Sequence, residues 1–349
     1  MSTLSERHEN FRPARVRCLE LSVSETCNYM CKYCTFWRNS DSKVCLMDIK
    51  LARMIVSDFL SYNACSIDNT CIYFGTGEPM LNWELISNIV SLVRSANTET
   101  KLNFMTNGSL IAEEHVNFFK TYKLGVGLSI DGKRELQNRT RTSANQEIDS
   151  FDVIMNCLAI ARPLNYTFHS LSSTFCSPGF YNDAMYVMNL CLENDIAEFA
   201  LDFDLESLTD DNIGDVADEL ILVYKEAVKN NLSVFGYWLI PYLNQYTTNQ
   251  KKFCGNVVGE SICVSSEGKL KVCGYDYKTF DYYTSFSNVE KNLSYVEYLS
   301  DHNKMYPECQ ACPIMELCAG QCIIRSVSHS SWLRNCLFFR TVYFKMIEN

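Results

Sequence analysis

Three thiols sit within eight residues: Cys27, Cys31 and Cys34, at C-x3-C-x2-C spacing. Three thiols do not complete a tetrahedral zinc site, and on a cubane iron–sulfur cluster they leave one iron open. An open iron can bind a substrate or a cofactor. A zinc site with a distant fourth ligand, or a helical face at i, i+4, i+7, are the alternatives. Thr26 and Asn28 favour a turn rather than a helix at this point. A second array lies near the C-terminus. Cys254 is followed by thirteen residues, Gly268, four residues and Cys273, with Cys263 between them. Then come Cys309-x2-Cys312-x5-Cys318-x3-Cys322 and Cys336. That is eight thiols, or two sets of four. Paired zinc knuckles are the alternative there, but they leave the three-thiol loop unexplained.

The elements around these residues are legible. Residues 18–24 alternate, with Leu19, Leu21 and Val23 on one face and Glu20, Ser22 and Ser24 on the other. This predicts a strand running directly into Cys27. Further strands are predicted at 71–74, 101–105, 125–130, 166–174 and 198–205. Helices are expected at about 48–61, 83–94, 112–122, 151–161, 182–194 and 212–230. Six strand-then-helix units predict a parallel sheet with right-handed crossovers, an incomplete (β/α)6 barrel of the TIM type. Chemistry in such folds lies at the C-terminal strand ends. There the chain places Cys27, Gly77-Glu78-Pro79, Asn107 and Asp131. Gly127, Ser129 and Asp131 share one face of the fourth strand. Ala200, Asp202, Asp204 and Glu206 share one face of the sixth. These faces predict a polar-lined barrel interior. The pattern changes after about residue 232, so the expected domains are an N-terminal arm at 1–17, the partial barrel at 18–232, and a bridging region with a small cysteine-rich α+β domain at 233–349.

Composition narrows the class. The chain has 349 residues, 47% hydrophobic and 21% charged, with a formal net charge of −10. That charge argues against nucleic acid and favours a neutral or basic partner. No run of eighteen apolar residues and no secretory h-region is present, so no membrane span and a cytoplasmic location are expected. Eighteen cysteines without an export signal point to metal rather than to disulfides. Seven of them (Cys18, Cys45, Cys65, Cys71, Cys157, Cys176 and Cys191) lack partner spacing, and most of these read as small buried hydrophobes.

Taken together, the loop of three cysteines, Gly77-Glu78-Pro79 and the C-terminal array resemble radical S-adenosylmethionine (SAM) enzymes with a SPASM extension, over roughly residues 18–340. The resemblance implies a [4Fe–4S] cluster on Cys27, Cys31 and Cys34 whose open iron binds SAM. It implies two auxiliary [4Fe–4S] clusters, one on Cys254, Cys263, Cys273 and Cys322 and one on Cys309, Cys312, Cys318 and Cys336. It implies SAM contacts from Tyr33, Gly77, Glu78, Pro79, Asn107, Ser129, Asp131 and Arg141, with Arg139 as the alternative to Arg141. Thr76 stands where the family usually has the first glycine of Gly-Gly-Glu-Pro.

Within that family the resemblance points to maturases of ribosomally made peptides, which crosslink, form thioethers, epimerise or dehydrogenate a residue. A sulfatase-maturase-like formylglycine reaction is an alternative. Those enzymes place an Asp directly after the cysteine matching Cys273; here that residue is Gly274, and Asp276 follows. Radical dehydrogenation of a small molecule and a non-catalytic electron carrier are the other classes. Cys176, near the predicted barrel mouth, is a candidate hydrogen donor, Asp202 a substrate contact, and Asp276 an acid–base group. Expected partners are a peptide, an electron donor such as flavodoxin or ferredoxin, and a separate leader-recognition protein, since about seventeen residues precede the first strand.

Overall fold

The computed structural model describes residues 11–35, 45–65, 69–96, 99–144, 148–248, 251–276, 278–289, 291–303, 306–322 and 328–348. The strands are β1 (Cys18–Ser24), β2 (Cys71–Thr76), β3 (Lys101–Thr106), β4 (Gly125–Ser129), β5 (Ser170–Phe175), β6 (Glu198–Phe203), β7 (Ser233–Phe235), β8 (Ser261–Val264) and β9 (Leu270–Lys271). The longer helices are α1 (Ile49–Tyr62), α2 (Trp83–Ser95), α3 (Glu113–Thr121), α4 (Arg134–Thr140), α5 (Ser150–Ala161), α6 (Tyr181–Glu193), α7 (Ile213–Lys229), α8 (Leu293–Asn303) and α9 (His329–Glu348). The fold is mixed α/β with parallel strands, as the alternation predicts.

The chain forms two compact units, each assembled from separate stretches. The first takes Met1–Cys27, Asp41–Phe104 and Lys252–Met315. In it β1 pairs in parallel with β2 on one side and with β8 on the other, and β2 pairs with β3. β9 then runs antiparallel to β8. Helix α1 starts on Asp48, whose carboxylate accepts from the Lys50 and Leu51 amides. That satisfies two orphan donors of its first turn. Its apolar stripe, Ala52, Ile55, Val56 and Phe59, is buried. Asp58 of α1 accepts from the Tyr283 hydroxyl and the Phe286 amide, and Phe59 meets Phe286 edge-on at 5.3 Å.

The second unit holds Asn28–Ser40, Met105–Lys251 and Glu316–Asn349. Here β4, β5, β6 and β7 pair in parallel in that order. Among the described residues β7 pairs only with β6 and β9 only with β8, the open edges of a partial barrel. α9 lies on α7, where Lys345 pairs with Asp218 at 2.6 Å.

Three expectations need correction. The fifth strand begins at Ser170, not Tyr166. Asn165 takes a left-handed φ of 51° and the Tyr166 amide bonds back to Ala161, so residues 162–166 finish α5 instead. A seventh parallel strand, β7, follows the six predicted; at three residues it is too short to show a period. Cys18 and Cys71 are not separate buried hydrophobes. They face each other in register on β1 and β2 and form a disulfide with Cα atoms 4.7 Å apart.

Beyond the β6–β7 pairing, Trp238 is fully buried and donates its indole N–H to the Leu201 carbonyl at 2.7 Å. Trp238→Ala removes both the packing and the donor, and is expected to cost about 3–5 kcal/mol, read from the shift of the denaturant midpoint.

Candidate active site

The cysteine loop is held by backbone pairing. The Met30 and Lys32 amides donate to the Thr142 and Thr140 carbonyls, and the Ala144 amide donates to the Asn28 carbonyl. Residues 28–32 therefore run antiparallel to 140–144. This stretch follows α4, a helix absent from those predicted. The Cys34 amide closes a turn onto the Cys31 carbonyl. Cys27, Cys31 and Cys34 are all half-buried.

Asp131 is the centre of this arrangement and is fully buried. Its carboxylate accepts from the Tyr33 hydroxyl at 2.7 and 3.0 Å, from the Thr140 hydroxyl at 2.7 Å and from the Thr174 amide at 3.1 Å. Arg141 pairs with it, Nε lying 3.1 Å from Oδ1. The Asp131 amide in turn donates to the Gln137 side chain at 2.7 Å. The Arg141 guanidinium carbon lies 5.3 Å from the centre of the Tyr33 ring, a cation–π contact. Burial depresses the guanidinium's hold on its proton, but Asp131, Tyr33 and Cys31 outweigh it and the net effect is upward. Burial pushes the Tyr33 hydroxyl well above its usual range. Burial also pushes the Cys31 thiol up to about 12, against the pull of Arg141.

This geometry separates the two arginines. Arg141 is buried with its charge paired, whereas Arg139 is exposed. It also redefines Asp131, whose oxygens are occupied by protein partners. Asn107 is likewise engaged, donating to the Asn28 side chain at 2.8 Å and accepting from Ser109. Ser129 is different: its hydroxyl makes no hydrogen bond among the described residues.

In the other unit, the Gly77 amide donates to the Ser24 carbonyl and the Glu78 amide to the Thr26 carbonyl, both at 2.9 Å. A Cβ at Gly77 would lie 2.1 Å from the Thr26 oxygen, so only glycine fits. Glu78 is buried and caps the short turn Pro79–Asn82 through the Met80 amide. Thr76 has φ +88°, where glycine is favoured, and its hydroxyl bonds Ser22 at 2.5 Å. The departure from the family glycine thus keeps the glycine backbone.

The other predicted residues divide clearly. The Asp202 carboxylate accepts from the Tyr237 amide at 3.1 Å, and Asp204 caps the turn at Leu205–Ser207. Both carboxylates shape loops at the strand end. Cys176 follows β5 and is half-buried. Cys263 lies on β8, fully buried, 3.3 Å from the Ser22 hydroxyl. Cys254 and Cys273 are half-buried. The Cys312 amide closes a turn onto the Cys309 carbonyl. Gln321 joins the Cys318 carbonyl to the Cys336 thiol, through its amide and its side chain at 3.1 Å; Cys322 follows it and is half-buried. Among the described residues no three Cys, His, Asp or Glu side chains converge on a single metal position. Each cysteine of a cubane site binds a different iron, so the loop's fit lies in its donor chemistry and spacing. Sequence reasoning missed Gln137 and Thr140, whose signal was only their spacing from Asp131.

Residues 21–187 match the family model described as the radical SAM superfamily. The radical SAM cyclopropyl synthase TigE of Paramaledivibacter caminithermalis is 24% identical over 332 residues, covering 88% of this chain and 68% of that protein. The solved structure of native anSMEcpe with bound AdoMet and Cp18Cys peptide superposes with a TM-score of 0.74 at 18% identity, covering 96% of this chain and 99% of the other. Streptococcus suis SuiB bound to precursor peptide SuiA gives 0.67 at 14%, covering 91% and 74%. Both share the fold.

Arg141→Ala leaves the buried Asp131 carboxylate without its cation and is expected to cost about 3 kcal/mol or more. Arg139→Ala should stay within about 0.5 kcal/mol. Parallel urea titrations test the contrast; equal losses would refute it. The cysteine loop and the Asp131 centre both lie within residues 21–187, the stretch that matches the radical SAM superfamily model.

Proposed function

We propose that the chain is a radical SAM/SPASM maturase acting on a ribosomally made peptide. The observation that carries the cofactor reading is the cysteine loop laid along Thr140–Ala144, with Tyr33 and Arg141 fixed beside Cys31. Cys27, Cys31 and Cys34 would hold a [4Fe–4S] cluster, and Cys254, Cys263, Cys273, Cys322 with Cys309, Cys312, Cys318, Cys336 the two auxiliary clusters. When bound, the cluster and SAM supply reductive cleavage to methionine and a 5′-deoxyadenosyl radical, which takes a hydrogen atom from the substrate. The chain's own part is positional. Arg141 presents a fixed cation for the SAM carboxylate. Tyr33 presents a ring face for the adenine, its hydroxyl anchored on Asp131. The free hydroxyl of Ser129 is available to the ribose, and the backbone at Gly77-Glu78-Pro79 to the amino group. Asp131 and Asn107 hold these groups rather than touching SAM.

Support for a peptide comes from two relatives of the same fold, whose structures contain the Cp18Cys and SuiA peptides. An electron donor of the flavodoxin or ferredoxin type would reduce the cluster, and a separate protein could recognise a leader.

Three measurements test this. Anaerobically reconstituted protein with reductant and SAM is expected to release 5′-deoxyadenosine, and Cys31→Ala to release none. Peptides encoded by short reading frames flanking the gene are expected to change mass; active SAM cleavage with no mass change in any of them would sink the peptide reading. Cys176→Ala is expected to abolish or divert the product while cluster content stays constant. Unchanged turnover and product would remove Cys176 from the mechanism.

A further inference from the structure

In the second unit, the turn that joins Cys318 to Cys322 is built around one side chain. Ala319, Gly320 and Gln321 all take positive φ, at 51°, 87° and 52°. Two of the three are not glycine, and a residue with a Cβ disfavours that region. The run ends with Gln321, which is 1% exposed. Its Nε2 lies 3.1 Å from the Trp332 carbonyl oxygen and 3.1 Å from the Cys336 Sγ, both on α9. Its Oε1 has no hydrogen-bond partner among the described residues. Backbone strain held at a buried polar side chain points to function rather than to packing.

The neighbours of this carboxamide fix its orientation. A carbonyl oxygen only accepts, so the atom facing Trp332 has to be the nitrogen. An amide nitrogen only donates, so its second hydrogen goes to the sulfur and Cys336 is the acceptor. Such a bond strengthens when the sulfur is negatively charged, which is the form in which a cysteine holds a metal. Beside Cys336 in the chain, the Asn335 side chain is also 1% exposed, and neither its Oδ1 nor its Nδ2 has a hydrogen-bond partner among the described residues. Buried amides with unbonded atoms are uncommon, and here two of them adjoin one thiol.

We propose that Gln321 is a positioning residue that acts through Cys336: its N–H holds the Cys336 sulfur and raises the reduction potential of the auxiliary cluster that Cys336 would ligate. The proposal rests on the cluster reading of Cys336 and on nothing in the peptide reading. One-electron reduction, with the electron coming from the flavodoxin- or ferredoxin-type donor, adds one negative charge and no proton. The cluster's iron and sulfur atoms share that charge, so a donor aimed at one of the sulfurs favours the reduced form. The Trp332 carbonyl sets the aim by holding the other hydrogen of the same nitrogen.

Potentiometry followed by EPR on the anaerobically reconstituted full chain tests it without turnover. Spectra with and without SAM set aside the SAM-binding cluster. Cys336→Ala identifies the signal that depends on this thiol and should lower the iron content. Gln321→Leu is expected to disfavour reduction of that cluster about tenfold, a downward shift of about 59 mV for one electron, with the iron content unchanged. Gln321→Glu replaces the donor by a carboxylate, should shift the potential down at least as far, and serves where the leucine variant does not load. A purely structural tether would lower Tm and leave the potential in place. In the unaltered protein, isotopically labelled nitrogen in the glutamine side chains should give a hyperfine coupling on the reduced cluster. Its absence overturns the proposal with no variant needed. An unshifted potential in a variant that loads its iron overturns the proposal and leaves Cys336 a ligand. Full iron content in Cys336→Ala overturns the ligand reading, and the proposal falls with it.

Discussion

A buried carboxylate has to be paired, and the second unit is arranged around pairing Asp131. An isolated ionised group in a protein interior is prohibitively costly. Here one cation, two hydroxyls and one amide converge on it. Each partner comes from a different place in the chain: the cysteine loop, α4, the residue after α4, and β5. Meeting this one electrostatic demand fixes Tyr33 and Arg141, and with Arg141 the strand-like stretch 140–144 on which residues 28–32 lie. The cysteine loop has no helix or sheet of its own. Its position follows from a charge that must be neutralised several residues away from any thiol.

The same economy recurs at the other strand ends. Asp202, Asp204, Asn107 and Glu78 all sit where a barrel enzyme keeps its chemistry, and each spends its oxygens on backbone amides or a neighbouring side chain. These are the Asx-type and capping bonds by which short polar side chains shape turns. Polar residues at a catalytic rim thus fall into two groups, those that build the rim and those left open toward it. Ser129 belongs to the second group. Burial alone does not separate the groups; hydrogen-bond occupancy does.

That distinction explains what the sequence could and could not say. Strand faces were readable because parity is a local property: Leu19, Leu21 and Val23 alternate with Glu20, Ser22 and Ser24, and the first three are fully buried. Helix positions were readable from the 3.6 period, as in Ala52, Ile55, Val56 and Phe59. Boundaries failed where a side chain or a left-handed residue ended an element early, as Asn165 and Asp204 do. Arg141 could not be separated from Arg139 by type or spacing, because what separates them is Asp131, eight to ten positions upstream and joined through a helix that a seven-residue segment barely announces. The disulfide partner of Cys18 lies 53 residues away and is chosen by strand register, which no spacing rule contains.

Position 274 shows how a residue type can be decided from elsewhere in the fold. The resemblance to sulfatase maturases implies an aspartate directly after the cysteine at 273, where this chain has Gly274. In this chain any side chain at 274 would begin 2.0 Å from a Glu20 oxygen, so the Glu20 carboxylate in its present place requires glycine at 274. Gly75 on β2 is subject to the same constraint from the other side. Three positions far apart in sequence, 20, 75 and 274, therefore form one choice: a glutamate reaching in from the sheet with glycines on either side of it. The glycine at 274 is then not a lost acid. It is the space in which an acid from another strand sits, bonded to the backbone of the residue whose side chain it replaces.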